Sequence, residues 1–119
     1  MYDPLQVLVV EDEPIIALMV EDFLDILGHN CVGIVGTVPH AIGRVAEGGF
    51  DIVILDVNLN GEPCWPVADV LADRQIPFVL ATGGQVTALP DRHARVTTLP
   101  KPYTIEGLEA ALERADTGP

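Results

Sequence analysis

The sequence predicts an α/β fold, a doubly wound sheet of five parallel strands in a single domain over residues 1–119. Three observations carry this expectation. Five short β-branched or aliphatic runs punctuate the chain, amphipathic or helix-compatible stretches separate most of them, and four of the five runs end on a polar or ionisable group. At 119 residues the chain is long enough for one core and too short for a catalytic domain plus a substrate domain.

The first run, QVLVV at 6–10, is apolar enough to be covered on both faces, and helix follows from Pro14, a residue suited to a first turn, to a stop at Gly28. In that helix Ile15, Leu18, Met19, Val20, Phe23, Ile26 and Leu27 read as a wide apolar stripe facing the core, with Glu21, Asp22 and Asp25 toward water. CVGIV at 31–35, DIVIL at 51–55, FVLAT at 78–82 and RVTTL at 95–99 supply the remaining strands. Helices are expected at 39–47, 66–74 and 104–115, the last with Thr104 as N-cap and Gly107 weakening its first turns. The stretch 83–94 is poor in helix formers and predicts at most one short turn of helix.

Composition narrows the function. The apolar fraction is 49%, the charged fraction 20%, and no run of about 18 apolar residues is present to span a membrane. The N-terminus lacks the pattern of a secretory signal, so a cytoplasmic protein is expected. A formal net charge of −12, with the few arginines scattered along the sequence, argues against binding nucleic acid or anionic membrane. Cys31 and Cys64 sit in no metal-binding spacing and read as reduced thiols, while His29, His40 and His93 read as solvated surface.

The chemistry is expected where ligands of such folds bind, outside the carboxyl ends of the strands. Glu11 and Asp12 follow the first strand, Asp56 the third, Thr82 closes the fourth, and Lys101, the only lysine, follows the fifth. If strands one and three are neighbours, three carboxylates converge, and they repel one another unless a cation sits among them. All are hard oxygen donors, so the expected cation is Mg²⁺, with the Asn58 backbone carbonyl as a further ligand. Lys101 and the Thr82 hydroxyl suit the outer oxygens of a phosphoryl group on Asp56, and Gly83 and Gly84 leave its approach open.

The blocks VVEDEP, VILDVNLNG, PFVLATGG and LPKPY together resemble the response-regulator receiver domain of two-component signalling, over essentially the whole chain. PFVLATGG and the short segment after it are similar to the Phe-Ala-Thr-Gly subfamily of single-domain receivers, with Leu80 in place of its phenylalanine. The resemblance implies a flavodoxin-like receiver fold, strand order 2-1-3-4-5, with a short fourth helix. It makes Asp56 the phosphoacceptor, Glu11, Asp12, Asp56 and Asn58 the Mg²⁺ ligands, Thr82 the switch hydroxyl and Lys101 the phosphate-binding lysine. It also implies a sensor histidine kinase or histidine phosphotransfer protein as donor, a monomer or weak dimer, and no enzyme activity beyond its own phosphoryl transfer and slow autodephosphorylation. Asn58 and Gly84 would tune the lifetime of the acyl phosphate.

Departures and alternatives stand beside this. Thr98 occupies the position where many receivers carry a rotating aromatic; Tyr103 is either a partner-contact aromatic or packs on the last helix. Trp65 either covers the acidic site or contacts a partner, or else packs at the start of the third helix. A haloacid-dehalogenase-type phosphatase needs a second aspartate where this chain has Asn58, and a flavin carrier needs a hydroxyl-rich loop where it has EDEP. A phosphorylation-independent docking module of the same fold remains the alternative, as does an excised receiver of a hybrid kinase or longer regulator. Pro102 makes the Lys101–Pro102 bond a candidate for the cis form.

Overall fold

The computed structural model describes residues 4–82 and 89–117, with the side chain of Thr117 left out. Expectations that fall on 83–88, among them the open approach over Gly83 and Gly84 and the tuning role of Gly84, lie outside the described residues. Strand β1 (Gln6–Val10) is followed by α1 (Pro14–Ile26), β2 (Asn30–Val35), α2 (Val38–Glu47) and β3 (Ile52–Asp56). A two-stranded hairpin, β4 (Asn58–Leu59) and β5 (Glu62–Pro63), precedes α3 (Trp65–Asp73) and β6 (Phe78–Thr82). Then come a 3₁₀ turn (Asp91–His93), β7 (Thr97–Pro100) and α4 (Ile105–Thr117). Within the expected stretch 83–94, the described part holds that one turn.

The main sheet runs β2-β1-β3-β6-β7, all parallel, which is 2-1-3-4-5 when its own strands are counted. β3 is buried throughout, β1 and β6 nearly so, because helices cover both faces. Alternate strand residues therefore feed two cores. Leu8, Val53, Leu55 and Leu80 meet α2 and α3 on one face, and Val7, Val9, Ile52 and Val79 meet α1 and α4 on the other. The outer strands β2 and β7 are half-exposed. β7 starts at Thr97, two residues later than the apolar pattern suggests, since Arg95 and Val96 complete the turn that follows His93.

Helix ends follow local chemistry. At the end of α1 the amides of Gly28 and His29 donate to the carbonyls of Asp25 and Leu24, and Gly28 takes the left-handed conformation this requires, φ +86°. α3 ends in the same way with Gln75 in the left-handed position, φ 59°. Thr104 caps α4 through its hydroxyl, which accepts from the Gly107 amide at 2.9 Å.

The stripe expected along α1 is corrected. Ala17, Val20 and Leu24 are the buried residues, flanked by half-buried Ile16, Met19, Phe23 and Leu27, whereas Ile15, Leu18 and Ile26 are exposed at 81%, 57% and 67%. A helix lying on a sheet needs only one seam of contact, and these three residues sit on the turns facing away from it.

Candidate functional site

The parallel register brings the carboxyl ends of β1 and β3 side by side, with Val10 opposite Leu55, so the residues that follow meet above the sheet. Carboxylate oxygens of Glu11, Asp12 and Asp56 all lie within 4.8 Å of one another. Glu11 and Asp56 are buried, Asp12 half-buried. Gly36 lies close behind this pair: a Cβ there would stand 3.4 Å from the Asp12 Cα and the Glu11 carbonyl.

Lys101 arrives from β7. Its amide donates to the Thr82 carbonyl at 2.9 Å, its bond to Pro102 is cis as expected, and its Nζ donates to Asp56 Oδ2 at 3.0 Å and Glu11 Oε1 at 3.3 Å. Tyr103, buried in the core with Leu108 and Leu112, places its ring 5.9 Å from that ammonium. The tyrosine thus packs on the last helix and carries the lysine on its ring. Thr82 stands one residue beyond Ala81, the register partner of Asp56, and is half-buried at the same end of the sheet.

Electrostatics follow from this crowding. Burial, then the hydrogen bond and charge of Asp56, push the Glu11 carboxyl up to about 7. Burial alone would lower the Lys101 ammonium, but the hydrogen bond and charge of Asp56, followed by those of Glu11, outweigh it and hold its pKa above that of an ordinary lysine. The donor set consists of hard oxygens. Cys64 is buried, with its thiol pushed up to about 12 by burial and then by the charge of Asp56, so it stays protonated and offers no soft ligand. The three carboxylates therefore fit a hard dication that keeps several waters.

The hairpin at 58–63 positions the site, and it was not anticipated. Asn60 and Gly61 form its two-residue loop with φ of 54° and 82°, the pairing that Asn-Gly favours. The Asn60 amide donates to Asp12 Oδ2 at 3.0 Å, fixing that carboxylate, and the Asn58 amide donates to Asp56 Oδ1 at 3.4 Å. Asn58 also accepts from Gly61 through its side chain at 2.9 Å. The signal was present as Asn-Gly within LNGE, hidden because each strand is only two residues long.

Two histidines expected on the surface are buried. His29 accepts a hydrogen bond from the Leu5 amide at 3.0 Å. His93 lies 2.8 Å from Asp69 Oδ1, is stacked on Trp65 with ring centres 5.9 Å apart, and meets the edge of Phe78. Trp65 accordingly packs at the start of α3 against the core and this imidazole. Both thiols are free, as expected.

No family model matches the chain. Among solved structures, it is similar to SdrG from Sphingomonas melonis Fr1, at 50% identity and TM-score 0.83, covering 95% of this chain and 97% of that one. It is also similar to the PhyR response regulator REC domain of Erythrobacter litoralis, at 25% identity and TM-score 0.75, covering 94% and 89%. Among curated proteins it is 29% identical over 90 residues to the phyllosphere-induced regulator PhyR of Methylorubrum extorquens. That match takes in 73% of this chain but only 32% of the relative, so the chain spans about a third of that protein.

Proposed function

From the premise that the chain belongs to the response-regulator receiver domains, we propose that it accepts a phosphoryl group on Asp56 from a phosphohistidine and thereby switches the partners it binds. The donor is a sensor histidine kinase or a histidine phosphotransfer protein. The observation that carries this reading is the buried Asp56 carboxylate, crowded by two further carboxylates and bonded to the only lysine of the chain.

In this reading an Asp56 oxygen attacks phosphorus in line with the departing imidazole nitrogen. Lys101, already at the carboxylate, is in reach to balance charge on the transferred oxygens. Glu11, Asp12, Asp56 and the Asn58 carbonyl are the residues that would hold Mg²⁺, which supplies charge neutralisation for the incoming phosphoryl group. Thr82 then moves toward the product, and its carbonyl bond to the Lys101 amide links that motion to β7. Water later hydrolyses the acyl phosphate, so the chain catalyses only its own modification and its slow reversal. The same reading makes it a cytoplasmic monomer or weak dimer. Among the described residues no helix is long and apolar enough to cross a membrane.

Two similar structures bear on this proposal. One is described as SdrG in a BeF3-activated conformation, at 49% identity, and beryllofluoride imitates a phosphoryl group. Another is described as an anti-anti-sigma factor, PhyR of Bartonella quintana, at 28% identity, and this chain covers 49% of it. The downstream role belongs to that longer protein.

The test is intact-mass measurement after incubation with Mg²⁺ and a small phosphodonor. A gain of about 80 Da, one phosphoryl group, is expected for the natural chain and absent from Asp56→Asn. No adduct from any donor, cognate kinases included, would leave the phosphorylation-independent docking module in its place.

A further inference from the structure

Each carboxylate of the acidic cluster has a backbone amide on one of its oxygens. Glu11 Oε2 accepts from the Glu13 amide at 3.2 Å, Asp56 Oδ1 from the Asn58 amide at 3.4 Å and Asp12 Oδ2 from the Asn60 amide at 3.0 Å. Lys101 donates to the other oxygens of Glu11 and Asp56, Oε1 and Oδ2. Asp12 Oδ1 alone has no hydrogen-bond donor among the described residues.

The amide bond to Asp12 is the shortest of the three, and it is made across the fold. Asn60 stands 48 residues from Asp12 in sequence and reaches it because the hairpin turns there. In a two-residue loop closed by the Leu59–Glu62 pair, the amide of the first loop residue takes no part in the ladder and is left to face outward. Asn60 aims it with a left-handed backbone, φ 54°, which asparagine and glycine adopt more readily than other residues. Asp12 is confined from its other side by Gly36, whose carbonyl the Asn60 side chain reaches at 3.5 Å.

The choice of metal follows from how many oxygens each carboxylate turns to the ion. Mg²⁺ takes single oxygens in near-ideal octahedral positions, whereas Ca²⁺ takes roughly six to eight and gains from carboxylates that offer both. A carboxylate with one oxygen tied to a fixed amide presents the other alone. Removing a hydrogen-bond partner of this kind commonly changes metal affinity by about tenfold or more.

We propose that Asn60 is a positioning residue for metal selectivity: its amide ties Asp12 Oδ2, so that Asp12 offers Oδ1 alone and the site favours Mg²⁺ over Ca²⁺. This rests on the reading that Glu11, Asp12 and Asp56 hold Mg²⁺, and it adds which element decides the ion.

The probes are MgCl₂ and CaCl₂, titrated separately into isotope-labelled, metal-free protein at constant ionic strength while the amide NMR shifts of Asp12, Val57 and Asn58 are followed. The natural chain should bind Mg²⁺ about fivefold or more tightly than Ca²⁺. Asn60→Pro removes the amide hydrogen yet suits the first central position of a type II turn, in which Gly61 keeps its positive φ. It should weaken Mg²⁺ binding about tenfold and shrink the preference over Ca²⁺ by about threefold or more. Asn60→Gly keeps the amide and the left-handed backbone without the side chain, and should restore the natural preference. If Asn60→Pro loses its folded spectrum, Asn60→Ile carries the comparison: a β-branched residue resists φ 54°, and the preference should shrink by about twofold or more. A merely structural role for the turn would weaken both ions alike; an unchanged preference in the folded Pro or Ile variant would therefore overturn the proposal, as would its loss in Asn60→Gly. Saturable Mg²⁺ binding by the natural chain with no preference over Ca²⁺ would overturn this inference alone, and no Mg²⁺ binding at all would overturn the metal reading beneath it as well.

Discussion

At the residue scale, Tyr103 shows how one side chain serves both core and site. Its ring is packed into the core beneath the Lys101 ammonium, and burial, then the charges of Glu11 and Asp56, drive its hydroxyl pKa upward. A tyrosine that holds its proton better when folded contributes stability that is complete below the unfolded pKa, about 10, and is lost as pH rises beyond it. Absorbance at tyrosinate wavelengths should therefore show one of the two tyrosines ionising only as the chain unfolds, and Tyr103→Phe should blunt the alkaline loss of stability. An unchanged alkaline limb in that variant would count against the assignment. Most site residues could be read from the sequence because each directly follows an apolar strand run. His29 and His93 could not, because their burial depends on Leu5 and on Trp65, Asp69 and Phe78, which are remote from them in sequence.

At the element scale, strand and helix positions were legible to within two residues, since apolar runs and caps mark them. The direction in which α1 faces was not. A stripe of apolar residues states what can be buried, but the neighbouring sheet decides what is, and it left Ile15, Leu18 and Ile26 in water. The short β4–β5 hairpin escaped notice because two-residue strands carry no period, although its Asn-Gly turn is a known signal. Element ends also hold latent stability. Gln75 closes α3 in a left-handed conformation that glycine adopts without strain, so Gln75→Gly should stabilise the protein by about 1 kcal/mol in urea unfolding. No gain would mean that Gln75 makes compensating contacts.

For the whole molecule, charge decides how the fold responds to solution conditions. A chain of −12 repels itself, and its three converging carboxylates concentrate that repulsion at one end of the sheet. By binding the folded state, Mg²⁺ at ten times its dissociation constant should stabilise the protein by about 1.4 kcal/mol and so raise its melting temperature more than NaCl does at equal ionic strength. Asp56→Asn should lose most of the increment specific to Mg²⁺. An equal response to both salts, or an undiminished one in the variant, would indicate general screening and no ligation. The sheet order 2-1-3-4-5 was legible through the resemblance of four blocks spread over the whole chain. The gathering of Arg92, Arg95 and Arg114 was not, because nothing in their spacing reveals that α4 ends beside the start of β7.

The stacking of Trp65 on His93 has a practical consequence. Trp65 is the only indole in the chain, so its emission comes from this one environment. Fluorescence from the unlabelled protein therefore reports on one place in the fold, where the 3₁₀ turn and the core meet the start of α3. Any event that lifts that turn away from the helix should register as a change in brightness, in real time and without a dye.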